Sequence, residues 1–286
     1  MILVTGATGH LGRAVLDTLL QHTAAHQLAA LVRDPAKATD LQARGVSLRV
    51  GSYTDPASLA AAMPGIDTVL LISGGGDDDG LQQHQNVIDA ARQAGVRRVA
   101  YTSRALQDPG TLANELMVRH FQTEDYLKAS GLGYILFRNI LYMDTLPLFT
   151  GPTVLETGIN LPGGEGQVSY ALRSEMGEAI ANVLLQDFTD SRIYHFTGAA
   201  AYSFHDVAAA LALASGRPVV YHDVAPEVLA ARMRERGVPE VAIGRTIGFM
   251  TDIKHGQESL VSSDLAAALG RQPTGLLEGI KQLYQL

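Results

Sequence analysis

The first half of the chain alternates short apolar runs with segments of helical periodicity, and this alternation restricts the fold more than any other feature. Strands are predicted at the apolar runs, residues 1–5, 27–33, 46–50, 67–73, 97–103 and 133–139. Helices are predicted between them, most clearly at residues 10–21, 55–63, 81–95 and 116–131. Strict alternation with short connections predicts an α/β fold, a doubly wound parallel sheet with helices on both faces.

The alternation ends after the sixth predicted strand. Residues 151–286 are expected to form a smaller, mostly helical substrate-binding portion over the carboxyl ends of the strands, and residues 1–150 the sheet domain. A helix and a strand predicted within residues 170–198 are expected to return to the main sheet.

Composition excludes several classes of protein. The chain has no cysteine, which rules out disulfides and thiolate metal sites. Its net charge of −7 does not fit a nucleic-acid binder. The N-terminal segment lacks the basic start of a signal peptide, and no apolar stretch approaches the ~20 residues of a membrane helix. We expect a cytoplasmic protein with neither a nucleic-acid nor a membrane partner, and no metal site.

A glycine-rich turn follows the first predicted strand directly. Gly6, Gly9 and Gly12 lie in the segment TGATGHLG, which continues into the first helix. This spacing permits a tight turn, a close approach of the backbone to a pyrophosphate and close packing of helix on strand. The strand–turn–helix context predicts a Rossmann-type dinucleotide site in residues 1–150.

The second strand ends in LVRDPAK, where an NAD-binding chain would carry an acid for the ribose hydroxyls. Arg33 stands there instead, and Lys37 lies one turn beyond. A guanidinium can hold a 2′-phosphate through two hydrogen bonds, so the pair predicts NADP (NADPH) as cofactor. Asp34 leaves two alternatives open, because it could accept a ribose hydroxyl or neutralise Arg33.

The motifs TGATGHLG, LVRDPAK, QHQNVIDAARQAGVRRVAYTS and HFQTEDYLKASGLGYILFRNILY resemble the NmrA-like group of atypical short-chain dehydrogenase/reductases. Within it the chain most resembles the NADPH-dependent quinone oxidoreductases of type 2 and the triphenylmethane dye reductases. The similarity runs from residue 1 to about Leu185 and is weaker beyond. It does not identify the substrate.

The resemblance implies a set of cofactor-binding residues. The pyrophosphate would be wrapped by Gly6, Ala7, Thr8, Gly9, His10 and Leu11, and the 2′-phosphate would be held by Arg33 with Lys37. Further along the chain, the ribose and nicotinamide would be bordered by Ser73, Gly74, Thr102, Ser103, His120, Phe137 and Asn139. Of these, His120 and Asn139 are the candidate catalytic residues.

The chain departs from the family at the proton donor. Typical short-chain dehydrogenases carry Tyr-x-x-x-Lys on the helix predicted here at 116–131, and the alignment places Leu116 at the tyrosine and His120 at the lysine position. His120 and Glu124 share one helix face. Three interpretations remain open. In the first, His120 contacts the ribose while Glu124 pairs with a nearby cation or orients the imidazole; in the second, the two form an acid–base pair; in the third, the face carries no chemistry.

Hydride transfer without a dedicated donor needs an acceptor whose product anion is stable, or one that is already a cation. We therefore expect an NADPH-dependent reductase of quinones or related planar, conjugated acceptors. Aromatic residues that could stack on such an acceptor are Tyr142, Phe149 and Phe249. The acidic loop at 73–80 could attract a cationic acceptor.

Two other functions remain open. One is a non-catalytic NADP-binding redox sensor of NmrA type, and the other is an imine or carbonyl reductase that takes its proton from water. The fold is the same in each case and does not distinguish them. We expect a monomer or a homodimer.

Overall fold

A computed structural model of the chain describes residues 1–74, 79–187 and 190–286. Its main strands are β1 (Ile2–Val4), β2 (Leu28–Val32), β3 (Ser47–Val50), β4 (Thr68–Leu71), β5 (Arg98–Arg104) and β6 (Gly133–Asn139). Four short strands and one longer strand follow, β7 (Ile159–Leu161), β8 (Gln167–Val168), β9 (Arg192–Phe196), β10 (Tyr202–Ser203) and β11 (Tyr221–Asp223). The six strands expected in the first half are all present.

Within the described residues, seven strands form the main sheet in the order β3-β2-β1-β4-β5-β6-β9. β1 pairs in parallel with β2 and β4, and the pairs β2–β3 and β4–β5 are parallel as well. The doubly wound parallel sheet predicted from the sequence is confirmed. The order reverses between β1 and β4, and in such sheets ligands bind beyond the carboxyl ends of the strands at this reversal.

Helices connect the strands, and capping residues in the sequence mark where a helix begins. Asp55 accepts hydrogen bonds from the N–H groups of Ala57 (3.0 Å) and Ser58 (3.3 Å), with Pro56 at the first helical position. In the described parts of the first half the helices are α1 (His10–His22), α2 (Thr39–Ala43), α3 (Pro56–Ala62), α4 (Gly80–Gln93) and α5 (Glu115–Ala129). They are followed by α6 (Leu146–Thr150), α7 (Val154–Thr157), α8 (Arg173–Leu184), α9 (Phe204–Ser215), α10 (Pro226–Glu235), α11 (Glu240–Lys254), α12 (Asp264–Leu269) and α13 (Leu276–Tyr284).

Both faces of the main sheet are covered. One face packs alternate strand residues such as Leu3, Val69 and Val99 against apolar side chains of α3, α4 and α5. On α1 and α8, which pack against each other, Gly177 comes so close to α1 that a Cβ would lie 2.4 Å from the Ala14 Cβ. Burial of these apolar surfaces holds the carboxyl edge of the sheet as a fixed frame.

The chain divides into two compact units. The first comprises Met1–Arg104, Arg119–Arg138 and Arg173–Tyr194, and the second comprises Ala105–Val118, Asn139–Leu172 and His195–Leu286. Residues 173–194 thus group with the main sheet, and β9 is one of its strands. Residues 105–118 and 139–150, which we expected in the first part, group with the second unit instead.

The second unit contains α9–α13 together with two small sheets. β7 pairs in parallel with β11, and β8 pairs antiparallel with β10. α9 packs against α13, and α10 against α11. The stretch 140–170, which shows little periodicity, forms the short elements α6, α7, β7 and β8 rather than a long helix.

Candidate functional site

The glycine-rich turn after β1 has the geometry of an anion site. Gly6 has a φ of +57°, which a residue with a Cβ rarely adopts. A Cβ on Gly12 would lie 2.3 Å from the Gly6 carbonyl oxygen, so glycine is required for α1 to begin this close to the turn. No described side chain caps α1, whose N-cap is Gly9. Its first N–H groups are therefore available to a phosphate.

A cavity of about 620 Å³ lies at the carboxyl ends of the first four strands. Its lining comprises Gly6, Thr8 and Gly9 from the turn, residues 31–33 from the end of β2, residues 51–54 after β3, residues 72–74 after β4, and Gln83 of α4. This volume is typical of small-molecule and cofactor sites. The cavity occupies the strand-order reversal where a dinucleotide is expected.

Arg33 supplies a positive charge to this cavity. Its side chain is exposed, and no carboxylate among the described residues forms an ion pair with it. The Asp34 carboxylate instead accepts a hydrogen bond from the Ala36 N–H (3.0 Å), at the start of a 3-10 turn. The glycine turn, the cavity volume and this uncompensated guanidinium together fit a dinucleotide with a 2′-phosphate.

Lys37 lies on the surface outside the cavity lining. Its carbonyl oxygen accepts a hydrogen bond from the Arg13 guanidinium (2.9 Å), which also pairs with Asp40. Arg13 thereby ties the segment after β2 to α1. The contact holds the chain segment that follows Arg33, and Lys37 adds a positive charge to that segment.

Ser73 and Gly74, which follow β4, line the cavity, whereas Thr102 and Ser103 of β5 lie behind it and are 2% exposed. The Thr102 hydroxyl accepts a hydrogen bond from the Ser73 N–H at 2.9 Å. Thr102 therefore supports the wall of the cavity rather than forming its surface.

His120 is buried on α5, and its ring is hydrogen-bonded by the protein. Its Nδ1 lies 2.9 Å from the Tyr101 hydroxyl, and the ring also hydrogen-bonds the backbone of Thr102. Burial, helped by the positive charge of Arg104, lowers the pKa of His120 to about 3. The imidazole is thus neutral at pH 7, unlike the lysine that typical short-chain dehydrogenases carry at this position.

Glu124 is fully buried and holds an ion-pair network. It accepts hydrogen bonds from Arg138 Nε (2.9 Å) and Nη2 (2.6 Å), from the Ser103 hydroxyl (2.6 Å) and from Lys128 Nζ (3.2 Å). Burial alone would raise the pKa of Glu124, but these hydrogen bonds outweigh it and lower the pKa. The expectation that Glu124 pairs with a nearby cation is confirmed, and the pair joins α5 to β5 and β6.

The remaining predicted residues lie in different settings. Phe137 is fully buried and stacks on Tyr194 with ring centroids 5.9 Å apart. Asn139, which begins a segment of the second unit, is 1% exposed, and its Nδ2 lies 3.4 Å from the Tyr142 hydroxyl. Also in the second unit, Phe149 and Phe249 form an aromatic pair with centroids 6.5 Å apart. Tyr142 lies at an isolated bridge to Ala171.

Sequence reasoning missed part of the cavity wall. Tyr53 and its neighbours Ser52 and Thr54 line the cavity because they follow β3, and the strand-end rule that pointed to Arg33 would have found them. Gln83 carried no comparable signal. Conversely, Ala7 and Leu11 are buried under the turn and His10 is exposed outside the lining. Residues 75–78 of the acidic loop at 73–80 lie outside the described residues.

The described residues lack two kinds of structural feature. They contain no group of three or more His, Cys, Asp or Glu side chains placed to hold a metal ion. In the same part of the chain, no helix has the length and apolar character needed to cross a membrane.

The comparisons with known proteins agree with this geometry. A family model described as NAD(P)H-binding matches residues 6–186. The chain belongs to this NAD(P)H-binding family. Quinone oxidoreductase 2 of Escherichia coli is 33% identical over 287 residues, which cover 100% of this chain and 99% of that protein. An NAD(P)H azoreductase of Xenophilus azovorans is 32% identical, over 84% of this chain and 82% of its own.

Solved structures of family members have the same fold over the whole chain. The NADPH-dependent quinone oxidoreductase of Escherichia coli complexed with NADPH has a TM-score of 0.93 at 33% identity, covering 99% of this chain and 100% of its own. The Citrobacter triphenylmethane reductase complexed with NADP(H) has a TM-score of 0.91 at 33% identity, with the same coverage. The resemblance predicted from the sequence motifs is confirmed.

Proposed function

We propose that this protein is an NADPH-dependent oxidoreductase that delivers hydride to a quinone or a related planar, conjugated acceptor. The observation that carries the proposal is that the glycine turn and Arg33 line one cavity at the strand-order reversal. Relatives that align over most of the chain support the acceptor class, since their names specify quinone and azo compounds. The name given to a structure of the Citrobacter triphenylmethane reductase specifies triphenylmethane dyes.

Different residues of the cavity would bind different parts of the cofactor. Gly6, Thr8 and Gly9, with the first amides of α1, would hold the pyrophosphate, and Arg33 the 2′-phosphate. Residues 73 and 74 would border the ribose and the nicotinamide. Bound NADPH would supply the hydride. Positioning the acceptor against it would provide most of the rate enhancement.

We infer that the described residues at the positions of the usual Tyr–Lys pair supply no proton donor. Leu116, which aligns with the catalytic tyrosine, carries no ionisable group. His120 is neutral because its pKa lies at about 3, and it could reach a ligand only by exchanging its bond to Tyr101 or Thr102. Tyr101 is fully buried, and burial raises its pKa. We therefore propose that water protonates the reduced acceptor, which suits hydroquinone anions.

The deciding experiment is NADPH oxidation by the purified protein with a panel of quinones, a cationic triarylmethane dye, an azo dye and simple ketones. We expect turnover with quinones and dyes, and little with ketones, because a ketone product is a strongly basic alkoxide that needs a donor. NADPH binding without turnover on any acceptor would instead identify a sensor. Rapid ketone reduction would contradict the proposed absence of a donor.

A further inference from the structure

The three residues after β4 are held in an unusual way. β4 ends at Leu71, and the next three residues line the cavity. Each of their three backbone N–H groups donates a hydrogen bond to a different side chain. Ile72 donates to Thr5 Oγ1 (2.9 Å), Ser73 to Thr102 Oγ1 (2.9 Å) and Gly74 to His84 Nε2 (3.4 Å). We call these three side chains, Thr5, Thr102 and His84, the amide clamp.

The side chains of the clamp are buried, and further hydrogen bonds hold Thr5 and His84 in place. The three side chains are at most 6% exposed. The Tyr53 hydroxyl hydrogen-bonds both the Thr5 hydroxyl and the Ile72 carbonyl oxygen (2.8 Å for the latter). His84 Nδ1 lies 3.0 Å from the Thr123 hydroxyl, which donates to the Arg119 carbonyl oxygen. Since Nε2 accepts from Gly74, the proton of the neutral ring lies on Nδ1 and points to Thr123.

The clamp makes the two sides of the cavity differ in the backbone N–H donors that they offer to a ligand. On the side of the glycine turn, free amides of α1 and the Arg33 cation favour anions. Along residues 72–74, each N–H is already directed at the protein and none remains to donate to a ligand. The backbone of residues 72–74 therefore offers a ligand no free N–H donor, which disfavours the phosphates of a dinucleotide at this wall.

We propose that Thr5, Thr102 and His84 are positioning residues that hold residues 72–74 in one conformation and direct their backbone N–H groups away from the cofactor. The proposal rests on the proposed function. It adds to it that affinity for NADPH depends on side chains lying behind the cavity wall. His84 is the member whose protonation would break the clamp, because a proton on Nε2 turns the acceptor for Gly74 into a donor.

His84 has few charged neighbours in the described residues. Burial lowers its pKa to about 4, so the ring is neutral at pH 7. Tyr101 of β5 (hydroxyl to His84 Nδ1, 3.5 Å) and His120 of α5 are the titratable groups that face it. Arg104 acts on His120, and Glu124 acts on Tyr101. Neither of the two groups that face His84 is a carboxylate, and Glu124 acts on Tyr101 and not on His84, so acid should release Gly74.

The first test uses the protein without cofactor. Hydrogen exchange of the Ile72, Ser73 and Gly74 amides, followed by NMR, is compared among wild type, His84→Leu, Thr102→Val and the exposed-site control His26→Leu. We expect Gly74 to exchange about tenfold faster in His84→Leu, and Ser73 similarly in Thr102→Val, because each loses one hydrogen bond. Unchanged exchange at both amides in the variants would overturn the clamp.

The second test measures NADPH affinity from the change in fluorescence of the reduced cofactor on binding. His84→Leu and Thr102→Val should each weaken binding about fivefold, with kcat changing less than KM, whereas His26→Leu should bind normally. In His84→Gln, which cannot be charged, the acid-dependent loss of affinity should flatten while thermal unfolding shows an intact fold.

The two proposals fail in different ways. Faster amide exchange combined with wild-type NADPH affinity in both variants would overturn the positioning role and leave the reductase intact. If wild type bound no NADPH, the proposed function would fail, while the exchange measurement on the apoprotein would still decide whether the clamp exists. A pH profile unchanged in His84→Gln would overturn the role of His84 as its titratable member.

Discussion

At the scale of a single residue, we expect Arg33 to set the preference of this cavity for NADPH over NADH. It is a cation in the lining that no described carboxylate neutralises. Charge-assisted hydrogen bonds to a phosphate contribute about 1.5–3 kcal/mol. Arg33→Ala should therefore raise the KM for NADPH roughly 10- to 100-fold and change the KM for NADH less than about twofold. Steady-state kinetics with both cofactors measure this difference.

Two variants calibrate the Arg33 measurement. Arg44→Ala removes a surface guanidinium that pairs with Asp17, outside the cavity lining, and should leave both KM values unchanged. Lys37→Ala should have a smaller effect than Arg33→Ala, because Lys37 also lies outside the lining. Equal losses for NADPH and NADH in Arg33→Ala would show that the side chain does not recognise the 2′-phosphate.

A residue of the site could be predicted from the sequence when the signal for it was local. It could not be predicted when its position depends on hydrogen-bond partners far away in the sequence. The glycine turn and Arg33 directly follow predicted strands, so the rule for strand ends located them. The support for Tyr53 comes from Thr5 and Ile72, which are 48 and 19 positions away. Such pairings depend on the finished sheet. No local pattern of the sequence indicates them.

The ion pair of Glu124 fastens one helix to two strands. Its carboxylate is 1% exposed and meets Arg138, whose side chain is 22% exposed. Removing one partner of a buried pair leaves the other charge uncompensated and costs about 3 kcal/mol. Glu124→Gln should lower the free energy of unfolding by about that amount at neutral pH. Urea denaturation followed by circular dichroism measures the loss.

Asp125→Asn is the matched control for this element. Asp125 lies on the same helix beside Glu124, but its side chain is 80% exposed and contacts Lys128 at 3.6 Å. Exposed pairs contribute at most about 1 kcal/mol, so this variant should unfold close to wild type. A Glu124→Gln protein as stable as Asp125→Asn would show that the buried network is not what holds α5.

Two helix glycines allow a test of packing between elements. A Cβ on Gly177 of α8 would meet the Ala14 Cβ of α1 at 2.4 Å, whereas a Cβ on Gly244 of α11 would have no described atom within 4 Å. Gly177→Ala should destabilise the protein by about 1–2 kcal/mol through overpacking. Gly244→Ala should stabilise it by about 0.5–1 kcal/mol through helix propensity.

Thermal unfolding of the Gly177 and Gly244 variants compares these effects directly. Because α1 carries the glycine turn on its N-terminus, Gly177→Ala should also weaken NADPH binding, and Gly244→Ala should not. Equal stability of the two variants would mean that α1 and α8 can separate without cost.

Elements were predictable in proportion to their length and periodicity. The boundaries of the strands of the main sheet, and of the long helices that connect them, were predicted to within a few residues. Long amphipathic helices and continuous apolar strands carry strong local signals. β7, β8, β10 and β11 have two or three residues each and were not predicted. Such strands are formed by their pairing partners, not by their own sequence.

At the scale of the whole molecule, the chain passes repeatedly between its two units. The passages fall after Arg104 at the end of β5, after Val118, after Arg138 near the end of β6, after Leu172 and after Tyr194 within β9. A single boundary near residue 150 is what composition suggests, since scattered Gly and Pro begin there. Interleaved segments leave no compositional mark, because each is too short to differ from its surroundings.

The stability of the whole molecule should depend on two buried histidines. Burial lowers the pKa of His84 to about 4 and that of His120 to about 3, from an ordinary value of 6.5. As the pH falls below 6.5, the unfolded chain takes up protons at both sites and the folded protein does not. Protons bound only by the unfolded chain favour unfolding, so this stability is complete above pH 6.5 and is lost toward the folded pKa values.

Between about pH 7.5 and about pH 5 the loss should amount to about 2 kcal/mol for each histidine. Urea denaturation at the two pH values measures it in wild type and in His84→Gln, where about half of the pH dependence should disappear. Replacing the exposed His26 by Gln should leave the full dependence in place. If instead His84→Gln retained the entire wild-type slope, His84 would already be protonated or solvated in the folded protein, and its neutral ring could not be holding the Gly74 amide.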